Sequence, residues 1–174
     1  HLFNILKPFS YSIIILKLRT KPRHMTITPK KVNVFMLLKL PLAYIGGVRV
    51  KTVSEEQSTV KITHKWRNQN PFKSMFWAAQ GMAAEMSTGV LVMKAIEKSK
   101  EKVSMLVTYQ EANFLKKATG TILFTCTGGE EINEAIKRSK ETKEGQVIVL
   151  TSEGKNKDGA VVSEFSFEWS LKVK

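Results

Sequence analysis

One long apolar segment, residues 68–94, constrains the fold more than any other part of this chain. It reads NQNPFKSMFWAAQGMAAEMSTGVLVMK, and between Met75 and Met93 its only charged side chain is that of Glu85. A helix of about 20 to 25 residues in this segment would be roughly 30 Å or more long. Because this helix would be apolar on most sides, it must be buried, and one antiparallel sheet curling around it is the economical cover.

The flanking segments predict the rest of an α+β domain. Thr28 followed by Pro29 predicts the start of a helix that runs to about Leu40 and is stopped by Pro41. Alternating and β-branched patterns predict strands that pair as 44–54 with 58–66 and as 103–115 with 119–127. Three further elements are predicted: a short, exposed, charged helix over 130–145 that Gly145 ends, a strand over 146–152, and a half-buried strand over 160–174.

Composition limits the class of protein but does not name a partner. A chain of 174 residues with 43% hydrophobic residues is long enough for one domain with a sizeable core. The net charge of +13 suggests an anionic partner without choosing among nucleic acid, a membrane surface and a phosphorylated small molecule. The single cysteine, Cys126, predicts a reducing, cytoplasmic location and excludes a cysteine-built zinc site. The three scattered histidines predict no metal site.

Residues 1–24 are set apart from this domain. Their apolar run, 13–18, is interrupted by Lys17 and is too short to cross a bilayer. Basic and bulky residues follow it, where a signal peptide would have small ones. We therefore interpret residues 1–24 as an extension that is non-native or disordered, and Met25 as the natural start of a single domain over 25–174.

Glu85 is the residue of the long helix that most needs an explanation. Desolvating a carboxylate costs several kcal/mol unless it is paired, hydrogen-bonded or protonated. Its helical neighbours include Gly81, Met82 and Gly89, and the two glycines indicate that something approaches the backbone closely. Glu85 is therefore either a base or nucleophile whose pKa is raised by burial, or the partner of a Lys or Arg across a dimer seam.

These residues resemble the hotdog-fold thioesterase superfamily, and in particular its DUF4442 branch. The resemblance rests on RNQNPF before the helix, on the acid in AAEMSTG and on FLKKATGTI further along, and it covers roughly residues 30–172. It implies a sheet wrapped around the helix and a side-by-side homodimer, with a tetramer left open. It also implies active sites at the dimer interface that hydrolyse acyl thioesters of coenzyme A or acyl carrier protein without a cofactor.

The resemblance also implies roles for individual residues. The family's parts are an Asn before the helix, a His-Gly or similar pair at the helix start, and an acid about two turns further in. Asn70 and Glu85 match this spacing and are the implied catalytic residues, whereas Phe76 stands where many relatives have His. The implied substrate-binding residues are Phe76, Trp77, Gly81, Met82, Gly89, Lys116 and Lys117.

Structural interpretations stand beside these roles. Asn70 precedes Pro71 and is expected to cap the helix, and Asn68 is its substitute if the register is off by two. Trp77 either narrows the pocket or fills the core. Lys116 and Lys117 have two interpretations. They contact the phosphates of coenzyme A or an acidic carrier protein, or they are solvated lysines of a turn.

The start of the helix decides where an oxyanion site can lie. If the helix begins near Ser74, the free amides of Phe76 and Trp77 can hold a developing oxyanion, and such donors do not depend on the side chain. Three functions remain open: an acyl thioesterase, a non-catalytic protein that binds acyl-CoA or a fatty acyl chain, and a nucleic-acid binder. The last is disfavoured because the chain lacks a recognition helix and an interleaved basic and aromatic surface.

Overall fold

The computed structural model of the protein describes residues 26–174, so the interpretation of residues 1–24 and of Met25 lies outside it. The described part contains four α-helices, a 3₁₀ helix and six strands. Along the chain these are α1 (Pro29–Lys39), α2 (Pro41–Gly46), β1 (Arg49–Val53), β2 (Ser58–Thr63), the 3₁₀ helix (Trp66–Asn68), α3 (Trp77–Ser99), β3 (Val103–Phe114), β4 (Thr121–Cys126), α4 (Gly129–Thr142), β5 (Gln146–Lys155) and β6 (Val161–Val173).

The strands form one antiparallel sheet in the order β1-β2-β4-β5-β6-β3. Helix α3 packs against β1, β2, β4, β5 and β6, so the sheet must curve around it. The α+β prediction is confirmed, and the arrangement is the hotdog fold that the resemblance implied. Strands β1 and β3 lie at the two edges of the sheet.

Helix α3 is the buried centre of the fold. Its 23 residues lie within the predicted length, which corresponds to about 35 Å. Ala79, Ala83 and Ala84 are buried and let the sheet approach closely, while Val90 and Leu91 are fully buried and add apolar area to the core. Burial of such side chains stabilises the fold by roughly 25 cal/mol per Å² of apolar surface.

The last strand confirms the predicted alternation. Phe165, Phe167, Trp169 and Leu171 are buried on the inner face, whereas the residues between them are only partly buried. The rings of Phe165 and Phe167 stack with centroids 6.1 Å apart. This strand therefore presents a row of aromatic side chains to α3.

A cluster of buried hydroxyls joins β2, α3 and β5. Ser58 Oγ donates to the carbonyl of Ser87, and Ser87 Oγ donates to the carbonyl of Ala84 at 2.7 Å. Ser152 Oγ lies 2.7 Å from Ser87 Oγ, and the three serines are fully buried. Because the Ser87 hydroxyl already donates its proton to the carbonyl of Ala84, Ser152 must be the donor in the hydrogen bond between Ser152 and Ser87.

Replacing Ser87 with Ala should lower the free energy of unfolding by about 1–3 kcal/mol, because it leaves the Ser152 hydroxyl buried without its acceptor. The double variant Ser87→Ala/Ser152→Ala removes both partners and should recover most of the loss. Urea unfolding of the single and double variants measures both values. Equal stability of Ser87→Ala and the wild type would contradict the role of this cluster.

Two predicted boundaries near the first strand were wrong. Pro41 ends α1, but its fixed φ also suits a first helical position, so it opens the second helix, α2. That helix takes residues 44–46 out of the predicted strand, and Gly47 ends it with a φ of +100°. Strand β1 therefore starts only at Arg49. At the end of the second strand, Trp66 lies in the 3₁₀ helix instead.

Three predictions about the second half also need correction. Strands β3 and β4 do not pair, because β3 pairs with β6 while β4 lies between β2 and β5. Helix α4 buries one face, formed by Ile132, Ala135, Ile136 and Ser139, so it is not simply exposed. It ends at Thr142, followed by Lys143 in the left-handed region, and not at Gly145.

Candidate functional site

The loop before α3 is shaped by the side chain of Asn70. Its Oδ1 accepts hydrogen bonds from the amides of Phe72 (2.9 Å) and Ser74 (3.2 Å) and from the Ser74 hydroxyl (3.2 Å). Its Nδ2 group has no acceptor within residues 26–174. Asn70 therefore holds the loop with its oxygen and keeps two N–H donors for another group.

Neither predicted start of the long helix is correct. Helix α3 begins at Trp77, so Asn70 does not cap it, and Ser74 also lies before it. The loop is extended because Gln69 and Met75 form a β-bridge, and the Met75 amide donates to the carbonyl of Ala118 at 2.8 Å. These tertiary hydrogen bonds delay the helix by several residues.

The free amides at the helix start lie one residue later than predicted. The Phe76 amide is not free, because it donates to the carbonyl of Asn68 at 2.8 Å. The amides of Trp77 and Ala78 occupy the first helical positions and have no acceptor within the described part of the chain. They are the donors that a developing negative charge can use.

Asn68, the substitute for Asn70, has a structural role. Its Nδ2 group donates to the carbonyls of Gly46 (2.9 Å) and Thr63 (3.0 Å), and its Oδ1 accepts from the amide of Lys65 (2.8 Å). The residue is buried and its hydrogen-bonding capacity is used. It joins α2 to the end of β2 and has no donor left for a ligand.

A cavity of about 380 Å³ opens beside this loop, and it brings together Asn70, Trp77, Lys116 and Lys117. The other lining residues are Ser74, Met75, Gln80, Phe114, Leu115 and Ala118. The two lysines form no ion pair within residues 26–174. The cavity lining thus combines apolar side chains, the Asn70 side chain and two cations.

Trp77 does not fill the core. It is 55% exposed, and its ring meets the ring of Phe76 edge to face with centroids 5.6 Å apart. Phe76 is also exposed and is not part of the cavity lining. The helix start therefore offers aromatic surface where many members of the superfamily offer an imidazole.

Gln80 is a cavity residue that the sequence interpretation missed. It is buried, its Nε2 donates to the carbonyl of Met75 at 3.3 Å, and its Oε1 accepts from the Ser163 hydroxyl at 2.9 Å. A signal for it existed, since Gln80 is the one other long polar side chain in the segment 75–93. It ties the first turn of α3 to β6.

Glu85 lies further along α3, about 12 Å along the helix axis from Trp77. It is half-buried and forms no ion pair within residues 26–174. Its Oε1 lies over Gly89, where an added Cβ would be 3.6 Å from that oxygen and 3.5 Å from the Trp169 ring. The carboxyl group therefore sits between α3 and β6, beyond the residues that line the cavity.

The small residues beside Glu85 face the aromatic row of β6. A Cβ added to Gly81 would be 3.5 Å from the Phe165 ring, an ordinary contact, as at Gly89. Within the described structure the sheet is what approaches both glycines, while Met82 reaches Gly46 at the end of α2. The role of Gly81, Met82 and Gly89 in substrate binding stays a prediction.

Burial raises the pKa of the Glu85 carboxyl above its ordinary value. The folded state then holds this proton more tightly than the unfolded state does. The contribution of the protonated Glu85 to the free energy of unfolding is fully present below the ordinary pKa. It is lost as pH rises through the folded-state pKa.

Replacing Glu85 with Gln should therefore change how stability depends on pH. As pH rises through the raised pKa of Glu85, the variant should gain stability relative to the wild type, because it has no carboxylate to desolvate. Unfolding by urea across this pH range measures the difference. Glu141→Gln, at an exposed position of α4, is the control and should show no such trend. A constant difference for Glu85→Gln would contradict the prediction.

No helix in residues 26–174 combines the length and hydropathy needed to cross a membrane. Within the same residues, His, Cys, Asp and Glu form no group of three or more that could hold a metal ion.

Comparison with solved structures, all at low sequence identity, supports the assignment of the hotdog fold. A Pseudomonas aeruginosa protein of unknown function, described as a "Probable Thioesterase", is 16% identical with a TM-score of 0.72, over 84% of this chain and 97% of that chain. A Chlorobaculum tepidum protein of unknown function is 17% identical with a TM-score of 0.73, over 86% and 99%. A thioesterase from Haemophilus influenzae is 12% identical with a TM-score of 0.64, over 85% and 92%.

The family is shown by sequence. The model of the domain of unknown function DUF4442 matches residues 28–171, and the chain belongs to this family. A search of curated proteins finds no match. The structural likenesses, all at low identity, show the fold, and the function has to be argued from the site.

Proposed function

We propose that the protein is a thioesterase that hydrolyses acyl thioesters of coenzyme A or acyl carrier protein, with Glu85 as general base or nucleophile. The observation that carries this proposal is a half-buried carboxyl with a raised pKa and no cation beside it in residues 26–174. A raised pKa brings a carboxylate closer to the range in which it can take up and return a proton near neutral pH. No metal or organic cofactor takes part in the proposed reaction.

In the base mechanism, Glu85 takes a proton from water and the resulting hydroxide attacks the thioester carbonyl. The carbon–sulfur bond breaks, Glu85 returns the proton to the leaving thiolate, and the products are a carboxylic acid and a thiol. The Nδ2 group of Asn70 is free to donate to the carbonyl oxygen or to position the water. Because Trp77 lies about 12 Å along the helix axis from Glu85 of the same chain, the donors around Trp77 act together with the Glu85 of a second copy. The free amides of Trp77 and Ala78 supply further donors for the developing oxyanion.

The distance between Glu85 and the cavity supports a site completed by a second copy of the chain. Strand β3 is an edge strand, and it exposes Leu106 and Tyr109, each about 60% exposed. An exposed edge of this length is a surface for pairing with another strand. We propose a homodimer that pairs through β3, and the molar mass of the protein in solution tests this. A monomer at micromolar concentration would contradict it.

The direct test of the reaction is thiol release from acyl-CoA substrates with short, medium, long and aryl acyl groups. Hydrolysis of at least one class above the background rate is the expected result. Absence of hydrolysis across all four classes would overturn the enzymatic proposal. The cytoplasmic location expected from the single cysteine stays a prediction.

The second candidate is a protein that binds acyl-CoA or a fatty acyl chain without cleaving it. Phe76 favours it, because a phenyl ring at this position cannot transfer a proton or donate a hydrogen bond to the carbonyl. A thermal shift on adding acyl-CoA, with no thiol released, would support binding alone. A thermal shift together with thiol release would favour the thioesterase.

Reversing the charge of the two cavity lysines should weaken the binding of coenzyme A substrates. We expect Lys116→Glu/Lys117→Glu to raise KM by about tenfold with little change in kcat, because phosphate attraction acts on substrate and transition state alike. Lys172→Glu/Lys174→Glu, at the opposite end of β6, is the matched control. An acyl thioester of N-acetylcysteamine lacks the phosphates, and its KM should not change. An equal rise for that substrate would contradict the role in phosphate binding.

A further inference from the structure

Helices α1 and α2 expose five large apolar side chains that the proposed thioesterase site does not use. Leu38 is 70% exposed, Leu42 74% and Ile45 65%, and Val34 and Leu37 are about half exposed. These five residues lie within twelve positions of the chain and together form what we call the α1–α2 face. An apolar surface of this density on a folded domain usually marks an interaction site.

The outward direction of this face is fixed by contacts on the other side of α1. Val32 and Met36 point inward and are fully buried. Asn33 bonds to both backbone groups of Val50 on the edge strand β1, donating to its carbonyl at 3.0 Å and accepting from its amide at 2.9 Å. Because α1 is held by the core and by β1, its leucines cannot turn inward without breaking these contacts.

Helices α1 and α2 themselves carry only positive charges, while Glu97 of the neighbouring helix α3 interacts with Lys31. Lys30 and Lys31 line the same depression as Val34 and Leu38, and Lys39 is exposed at the end of α1. The first acidic residue of the whole chain is Glu55, so neither helix carries a carboxylate. Leucines among lysines, without acids, are the pattern of helices that lie in the boundary between lipid headgroups and acyl chains.

We propose that the α1–α2 face binds the surface of an anionic lipid membrane. The apolar side chains enter the headgroup boundary, and the lysines meet the lipid phosphates. A second copy of the chain is a poorer occupant, because a twofold contact through this face would set the lysines against their own copies. The face also lies beside β1, at the opposite edge of the sheet from β3, so pairing of two chains through β3 leaves it free.

Flotation of the full chain with lipid vesicles tests this proposal independently of any hydrolysis. We expect the wild type to float with vesicles that contain phosphatidylglycerol, and to float far less with vesicles of phosphatidylcholine alone. The variant Leu38→Glu/Leu42→Glu should weaken binding by about tenfold or more, because it removes buried apolar area and adds repelled charge. Lys30→Glu/Lys31→Glu should weaken it by about tenfold as well.

The matched control is Val147→Glu/Val149→Glu, which makes the same chemical change at two exposed positions of β5 and should leave flotation unchanged. Circular dichroism and thermal unfolding show that each variant is folded. Flotation of Leu38→Glu/Leu42→Glu at the wild-type level would overturn the proposal, and so would a wild type that floats with neither vesicle. A fall in the molar mass of the same variant in solution would assign the face to contact between copies and would also overturn it.

Discussion

Replacing Glu85 with Gln is expected to lower kcat for acyl-CoA hydrolysis by about a hundredfold to ten-thousandfold, the usual contribution of a positioned general base. Glutamine preserves the shape of the side chain but cannot take up the proton from water. The loss should appear in kcat, with KM almost unchanged, because proton transfer occurs in the transition state while the cavity still binds the substrate. Steady-state thiol release by the variant and the wild type measures both constants.

The folded state of this variant should be intact. The Glu85 carboxyl pairs with no cation in residues 26–174, so its removal breaks no ion pair there. Glu141→Gln, exposed on α4, is the control and should keep the wild-type kcat. A Glu85→Gln protein with full activity would remove this carboxyl from the mechanism while leaving the fold assignment unchanged.

The pH profile of the wild type provides a second measure of the same group. If Glu85 must be ionised to act, kcat/KM falls on the acid side, with a midpoint above the ordinary pKa of a glutamate, because burial raises the pKa of Glu85. An intact-mass measurement after rapid quenching separates base from nucleophile. Only a nucleophile acquires the mass of the acyl group.

Replacing Gly129 with Ala should destabilise the fold strongly, because the added methyl group would overlap backbone atoms. Gly129 is the first residue of α4, and a Cβ there would collide with the carbonyl oxygen of Glu55 and lie 2.7 Å from Cα of Glu56. Both atoms belong to the backbone of the turn between β1 and β2, so no side-chain rotation can relieve the overlap. We expect the free energy of unfolding to fall by about 3 kcal/mol or more.

Denaturant unfolding measures this loss, which corresponds to a Tm lower by roughly 6–12 °C for a domain of this size. Gly145→Ala is the matched control, because the nearest atom to its added Cβ is 3.9 Å away. The control should change the free energy of unfolding by less than about 0.5 kcal/mol. Equal stability of the two variants would contradict the close packing of α4 on the β1–β2 turn.

Local sequence patterns predicted those helices and strands in which buried apolar residues recur at a regular spacing. Helix α3 was predictable because residues 75–93 are almost free of charge, and β6 because its apolar residues alternate. The buried face of α4 was also present in the sequence as Ile132, Ala135 and Ile136, spaced by three residues and then one, on one side of the helix. Its many charges concealed that pattern, so the helix was predicted to be exposed.

The site was predictable only in part. Asn70, Trp77 and the lysines at 116 and 117 line one cavity, and the roles that the resemblance implied for them stay predictions. The start of α3 was not predictable, because the loop before it is held by backbone groups of Ala118 and Asn68. Hydrogen bonds between distant segments leave no periodic signal in the sequence.

The sequence by itself determined that a long apolar helix with one carboxylate had to be buried by alternating strands, because burial of apolar surface follows local periodicity. Only the tertiary structure decided that β3 lies at an edge beside β6, that Gln80 joins the cavity wall, and that Glu85 lies beyond it. These features depend on which distant segments pair, and pairing is set by the packing of the whole sheet around α3.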